Sequence, residues 1–305
     1  MSDNEFIEIE DFEEALRQAR EKVDSSNKGY CLNFAIKFCF DAALVKTPQL
    51  LDSLNLAQDF QNLDKPDTLY INHGQYIGSD GIPHVINELR DKHTSNRALI
   101  SLISQKDIVN SGDEPIPSFM VLQFSVEEDG LYITTYFRAL EVTKFLRINL
   151  EEIRIIADKI CQSIKRIKKI KLNIFAFRAY ANDNLNPLQR PKIEFLDEIK
   201  LLKLMEKKPT DIANLLREKL NVSTVIENSS IRAISEILND EDKSQDVQPC
   251  LRTTYIKRIL QKCISVSNEL INLRKSASHN GEIDELNQEY LASLRQLIEE
   301  IEKCE

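Results

Sequence analysis

The stretch YFRALEVTKFLRINLEEI, residues 136–153, decides the fold. Its first part closes the run LYITTYFRA, whose β-branched and aromatic residues read as a strand. Its second part opens an amphipathic helix over about Asn149 to Arg166, with Leu150, Ile153, Ile156, Ala157, Ile160 and Ile164 at a 3.6-residue period. Working outward, ALISLIS, SFMVLQFSV and LNIFAFRAY are further strand-like runs, and VEEDGL joins SFMVLQFSV to LYITTYFRA as a hairpin. Strands and helix in this order predict an α+β domain with a mixed sheet and flanking helices.

Towards the N-terminus, DFEEALRQAREKV has helical spacing, and Asp11 followed by Glu14 has the pattern of a capping box. The run YCLNFAIKFCFDAAL is mostly apolar and reads as a second, buried helix. Pro48 opens a short amphipathic segment that ends near Leu63. KPDTLYINHGQYIGSDGIP is turn-rich, through Gly74, Gly78, Gly81 and Pro83, and HVINELRDKH returns to helix.

Beyond Pro191 the chain reads as helical throughout: IEFLDEIKLLKLMEKK, PTDIANLLREKL and SIRAISEIL, separated by Pro209 and the NVSTVIENSS turn. After the polar linker DEDKSQDVQ come two longer helices, about 251–277 and 283–303, broken by SASHNGE. Ile259, Cys263, Val266, Leu270 and Leu273 form one apolar stripe. Leu286, Tyr290, Leu294, Leu297 and Ile301 form another. The two suit an antiparallel hairpin, or a seam for another chain. The expected division is a domain over 1–192 and an all-helical region over 193–305 that serves as a partner-binding module.

Composition narrows the class. The 305 residues are 42% hydrophobic and 29% charged with a net charge of −9, enough apolar material for a large core. No apolar run is long enough to span a bilayer. The acidic start MSDNEFIEIEDFEE is the opposite of a signal peptide, so a cytoplasmic location is expected, with a bacterial or phage origin. Six cysteines without a C-x-x-C pair read as free thiols rather than disulfides, and the four dispersed histidines suggest no metal site. The negative balance argues against non-specific binding to nucleic acid. Lys165, Arg166, Lys168, Lys169 and Lys171 nevertheless form a basic run, read as a solvated helix end or as a surface for an acidic partner or nucleic acid.

Four segments in order carry a specific pattern: TSNRALISL, PIPSFMVLQF, YFRALEVTKFLRINLEEI and FAFRAYANDN. Over residues 67–192 they resemble the core of thymidylate synthases and deoxycytidylate hydroxymethylases. In that family one strand begins Pro-Cys-His and runs on to Gln-Phe. The next ends Gln-Arg-Ser-x-Asp with an Asn eight residues later, and another carries His-x-Tyr. Here Pro117 is followed by Ser118, with Gln123-Phe124 at the matching distance. Arg138-Ala139-Leu140-Glu141 takes the arginine motif, Asn149 follows Glu141 by eight, and Arg178-Ala179-Tyr180 takes the place of His-x-Tyr.

The resemblance implies a role for each position. Ser118 stands where the nucleophilic thiol belongs, and a hydroxyl needs an adjacent base to act. Arg138 matches the arginine that contacts the nucleotide phosphate, the rival reading being an ion pair with a local carboxylate such as Glu141. Arg97 matches one of two arginines given across the dimer interface to the partner's phosphate site, the other position being Asn96. Asn149 matches the asparagine that reads the pyrimidine edge, although Asn is also a favoured helix N-cap. Tyr180 matches the tyrosine that bonds the sugar 3′-hydroxyl. Arg178 replaces a histidine and adds a cation that would suit a second phosphate. The folate-site tryptophans and the early catalytic glutamate have no counterpart. The expectation is therefore a degenerate, homodimeric pyrimidine-nucleotide binder without cofactor, acting as a sensor or complex subunit, in keeping with a conflict system. Two rivals remain at this stage: a divergent transferase or hydroxymethylase, and a purely structural scaffold.

Overall fold

Phe34, Ile36, Phe38 and Phe40 are all buried, and the residues between them are not. That period of two places Tyr30–Asp41 in a strand, and corrects the expectation of a helix there. A run apolar at nearly every position hides its own period. The half-buried Ala35, Lys37 and Cys39 alternate with the buried aromatics once the chain is extended.

The computed structural model describes residues 6–26, 28–111, 115–183, 189–221, 225–276 and 281–304. The expected breaks at NVSTVIENSS and SASHNGE fall at least partly outside these. The chain divides into two compact units. The first comprises Met1–Pro66, Ile71–Ser111 and Ile116–Pro187, and the second Asp67–Tyr70, Gly112–Pro115 and Leu188–Glu305.

The first unit is built on strands β1 (Ile7–Glu8), β2 (Tyr30–Asp41), β3 (Leu99–Ser101), β4 (Phe119–Glu127), β5 (Gly130–Glu141) and β6 (Lys169–Tyr180). They form one mixed sheet in the order β1-β2-β6-β5-β4-β3. The β1–β2 and β5–β6 pairs are parallel and the others antiparallel. Its helices are α1 (Phe12–Asp24), α2 (Leu51–Gln61), α3 (Gly74–Ile77), α4 (Gly81–Asp91), α5 (Gln105–Asn110) and α6 (Phe145–Ser163). As expected, Asp11 caps α1, its carboxylate accepting from Glu14 N at 2.8 Å. The Glu14 carboxylate reaches back to Glu10 N rather than to Asp11 N. The VEEDGL hairpin forms with Glu128 at φ 53°.

One sheet face packs against helices. Phe12, Leu16 and Val23 of α1, Val85 and Leu89 of α4, and Ile153, Ile156 and Ile160 of α6 share a core with Phe38, Phe124, Ile133 and Leu172. The other face is open. Val121, Tyr136, Phe175 and Ala35 are register neighbours across β4, β5, β6 and β2. Tyr136 is 41% exposed, Phe175 38% and, two residues on, Phe177 55%.

The second unit is helical: α7 (Glu198–Lys207), α8 (Pro209–Lys219), α9 (Ser229–Asn239), α10 (Glu241–Ser244), α11 (Thr254–Ser276) and α12 (Gly281–Glu302). The stripe residues Ile259, Cys263, Leu294, Leu297 and Ile301 sit in its core. Lys219 and Glu194 form a buried ion pair, and Glu194 also accepts from Ser229 Oγ at 2.6 Å and Ser230 N at 3.0 Å. Among the described residues no helix is long and apolar enough to cross a membrane.

The expectation of free thiols throughout is corrected at one pair. Cys250 and Cys304 are joined by a disulfide, with Cα atoms 5.6 Å apart and a sequence separation of 54. Spacing of that kind carries no signal, because only the fold brings the two together. Cys31, Cys39, Cys161 and Cys263 are free. By chain entropy, closing such a loop stabilises the protein by about 4 kcal/mol. Cys304→Ser is expected to lose about that much in urea unfolding and to remove the effect of dithiothreitol on the melting temperature. Equal stability of wild type with and without reductant would contradict the pairing.

Candidate functional site

The site is built around the junction where β5 ends and α6 begins. Glu141, the last residue of β5, is buried and accepts five hydrogen bonds. Its Oε1 takes Thr143 N at 2.8 Å, the Thr143 hydroxyl and Asn182 N at 3.1 Å. Its Oε2 takes Lys144 N at 2.7 Å and Phe145 N at 3.0 Å. The carboxylate thus satisfies the first amides of α6, where a negative charge is favoured by the helix dipole. It also ties them to the end of β6, since Asn182 follows Tyr180 and Glu141 pairs with Tyr180 in register.

Two expectations change here. Glu141 does not pair with Arg138. Asn149 is not an N-cap, because α6 begins at Phe145 and Glu141 supplies the capping oxygens. Asn149 instead lies buried one turn inside the helix. Its Nδ2 donates to Glu152 Oε2 at 3.1 Å, and the Glu152 carboxylate meets His73 Nδ1 at 2.8 Å. His73 packs between Phe60 and Phe119, with ring centroids 5.0 and 5.7 Å away. Phe119 in turn stacks on Phe137 at 4.4 Å. Glu152 and His73 were missed in the sequence. Glu152 could have been noticed as an acid three residues after Asn149 on the same helical face. His73 had no such signal, lying in a turn-rich segment without periodicity.

Ser118, Arg138, Arg178 and Tyr180 gather at the ends of β4, β5 and β6. Arg138 N donates to Ser118 O at 2.9 Å. The Arg138 guanidinium donates to Pro117 O at 3.2 Å and Ile116 O at 3.0 Å, and no carboxylate bonds it among the described residues. It reaches solvent, yet desolvation on its protein side lowers its pKa from the usual arginine value. Desolvation, followed by the charge of Glu141, raises the Tyr180 pKa, while Arg178 and Arg138 pull it down. Arg178 stacks over Tyr30 at 4.2 Å, which fixes the plane of its guanidinium. The Ser118 hydroxyl has no hydrogen-bond partner among the described residues.

Arg97 and Gln123 lie elsewhere. Gln123 is five residues along β4 from Ser118, about 16 Å at the rise of a strand. Its Nε2 donates to Asn96 O at 3.3 Å, and it pairs with Leu99 in register. Arg97, just before β3, is exposed, and its side chain makes no ion pair among the described residues. The basic run occupies the turn from α6 into β6, where Lys168 N and Lys169 N donate to Asp129 O of the acidic hairpin at 2.7 and 3.2 Å. No protein-family model matches the chain, and no curated protein matches it.

The roles of Glu141 and Arg138 separate in stability measurements. Glu141→Ala leaves the amides of Thr143, Lys144, Phe145 and Asn182 unpaired and is expected to cost about 3 kcal/mol. Arg138→Ala removes bonds to carbonyls that water can reach and should cost less than about 1 kcal/mol. Urea unfolding of both variants checks this, and the reverse order would make Arg138 the structural residue.

Proposed function

We propose that the chain is a catalytically degenerate, thymidylate synthase-like protein that binds a pyrimidine nucleotide, or a related phosphate-bearing ligand, as a homodimeric sensor or complex subunit. The observation that carries this reading is Arg138. Its guanidinium is partly desolvated, held by the backbone carbonyls of residues 116 and 117, and bonded to no acid among the described residues. A cation so placed is matched by a phosphate, with the planar, two-pronged geometry that arginine offers an oxyanion. Tyr180 lies near enough to interact electrostatically with Arg138, and Tyr180 and the stacked Arg178 would meet the sugar and a second phosphate. Ser118, a hydroxyl with no base in hydrogen-bond reach among the described residues, supports a binding role over a transferase. A role in bacterial or phage conflict, where nucleotide pools are monitored, suits such a protein.

Dimerisation belongs to the same reading. Tyr136, Phe175 and Phe177 leave an aromatic face uncovered, and a second copy would bury it. The exposed Arg97 would then reach the partner's phosphate site.

Thermal unfolding with deoxyuridylate, deoxycytidylate, thymidylate and deoxyuridine 3′,5′-bisphosphate tests the ligand. A true ligand at a hundredfold excess over its Kd stabilises the protein by about 2.7 kcal/mol, and Arg138→Ala should remain folded and lose that gain. Wild type indifferent to all four would overturn the nucleotide reading. In sedimentation at micromolar concentration, wild type is expected to be a dimer and Phe177→Glu a monomer. A monomeric wild type would overturn the dimer.

A further inference from the structure

Away from this junction, four isoleucines from three helices are left half-buried around one cavity of about 890 Å3. Ile77 comes from α3, Ile82 and Ile86 from α4, and Ile155 from α6, and the C-terminal end of α2 forms a further wall. Two glycines shape it. A Cβ on Gly74 would lie 2.0 Å from Asn62 O, so only glycine lets α3 close against the end of α2. Gly78, at φ +66°, ends α3 and turns the chain into α4. The volume falls within the range of small-molecule sites, and an apolar floor with a few polar groups is their usual lining.

The polar groups indicate the ligand's charge. Lys159 of α6 contributes the ammonium, and no carboxylate lines the cavity. The acids nearby are turned to other partners: Asp158 accepts from Gln162 Nε2 at 2.7 Å, Asp80 from Ser79 Oγ at 3.2 Å and Asp59 from Asn62 Nδ2 at 3.5 Å. Lys159 has no ion-pair partner among the described residues.

We propose that this cavity binds a small amphipathic acid, with an apolar acyl or aromatic body on the isoleucines and a single anionic group at Lys159. Burying half-exposed isoleucine surface supplies the affinity, and the unopposed ammonium selects an acid over a neutral molecule. The site does not depend on the nucleotide reading. Its α6 residues, Ile155 to Ser163, lie more than one helical turn from Asn149.

The probe is 8-anilinonaphthalene-1-sulfonate, an apolar dye with one sulfonate, compared with the neutral N-phenyl-1-naphthylamine. Fluorescence titration of the full chain should give saturable binding of both dyes, displaced by dodecanoate and not by deoxyuridylate. Lys159→Glu should weaken the sulfonate dye by about tenfold, the value of one charge-assisted contact, and leave the neutral dye within about twofold. Ile155→Trp, which intrudes on the apolar floor beside Lys159, should weaken both, while Arg138→Ala changes neither. Non-saturating binding, or sulfonate binding unchanged in Lys159→Glu, would overturn the proposal. Because Lys159 is exposed, its substitution leaves the fold intact even if Ile155→Trp does not fold.

Discussion

The Glu141 carboxylate holds three chain segments at one point. It caps the amides that open α6, bonds the hydroxyl of Thr143 in the connecting turn, and takes the amide of Asn182 just past β6. Strand β5, helix α6 and strand β6 form a parallel crossover, whose geometry is fixed where the helix leaves one strand and where the two strands end together. Five accepted hydrogen bonds satisfy a carboxylate that burial would otherwise leave without partners. Arg138, Arg178 and Tyr180 hang from the strand ends that this group aligns.

Helix α6 then carries more buried charge than a core helix usually does. Glu151 accepts from Gln49 N at 2.7 Å and Leu50 N at 2.8 Å and pairs with Arg154 at 2.5 Å, while Arg154 also donates to Val45 O. Glu152 joins Asn149 to His73. The bonds to Gln49, Leu50, Val45 and His73 pin neighbouring segments to α6, and removing one partner would strand a charge in a low-dielectric interior. The helix therefore fixes the segment around His73 and Gly74. That segment borders the junction on one side, and on the other it walls the isoleucine-lined cavity.

The hairpin, the late strands and most helices were legible because their periods are clean. Helix α6 was found from its isoleucines, but its start was placed four residues late. The residue that caps it, Glu141, lies on the strand before a turn and not at the conventional cap position. Strand β2 was misread because alanine and cysteine alternate there with phenylalanine and isoleucine, so both faces look apolar. The disulfide and the His73–Glu152 pair were illegible for one common reason. Each joins residues 54 and 79 positions apart, and only tertiary packing sets such distances. Ser118, Arg138, Arg178 and Tyr180 were named from an ordered pattern, and the structure gathers them at neighbouring strand ends. It leaves Arg97 and Gln123 apart from that group within one chain.

That separation makes the central claim, a phosphate site completed across a two-fold dimer, open to a direct measurement. Arg97→Ala and Arg138→Ala chains, each expected to bind deoxyuridylate poorly alone, can be co-expressed so that mixed dimers form. In a mixed dimer one site combines an intact Arg138 with the partner's intact Arg97, and the other site lacks both. Random assortment by two-fold symmetry then restores about a quarter of all sites. Calorimetric titration should show that fraction binding with wild-type affinity. Co-expressed chains that bind no better than either variant alone would contradict the shared site.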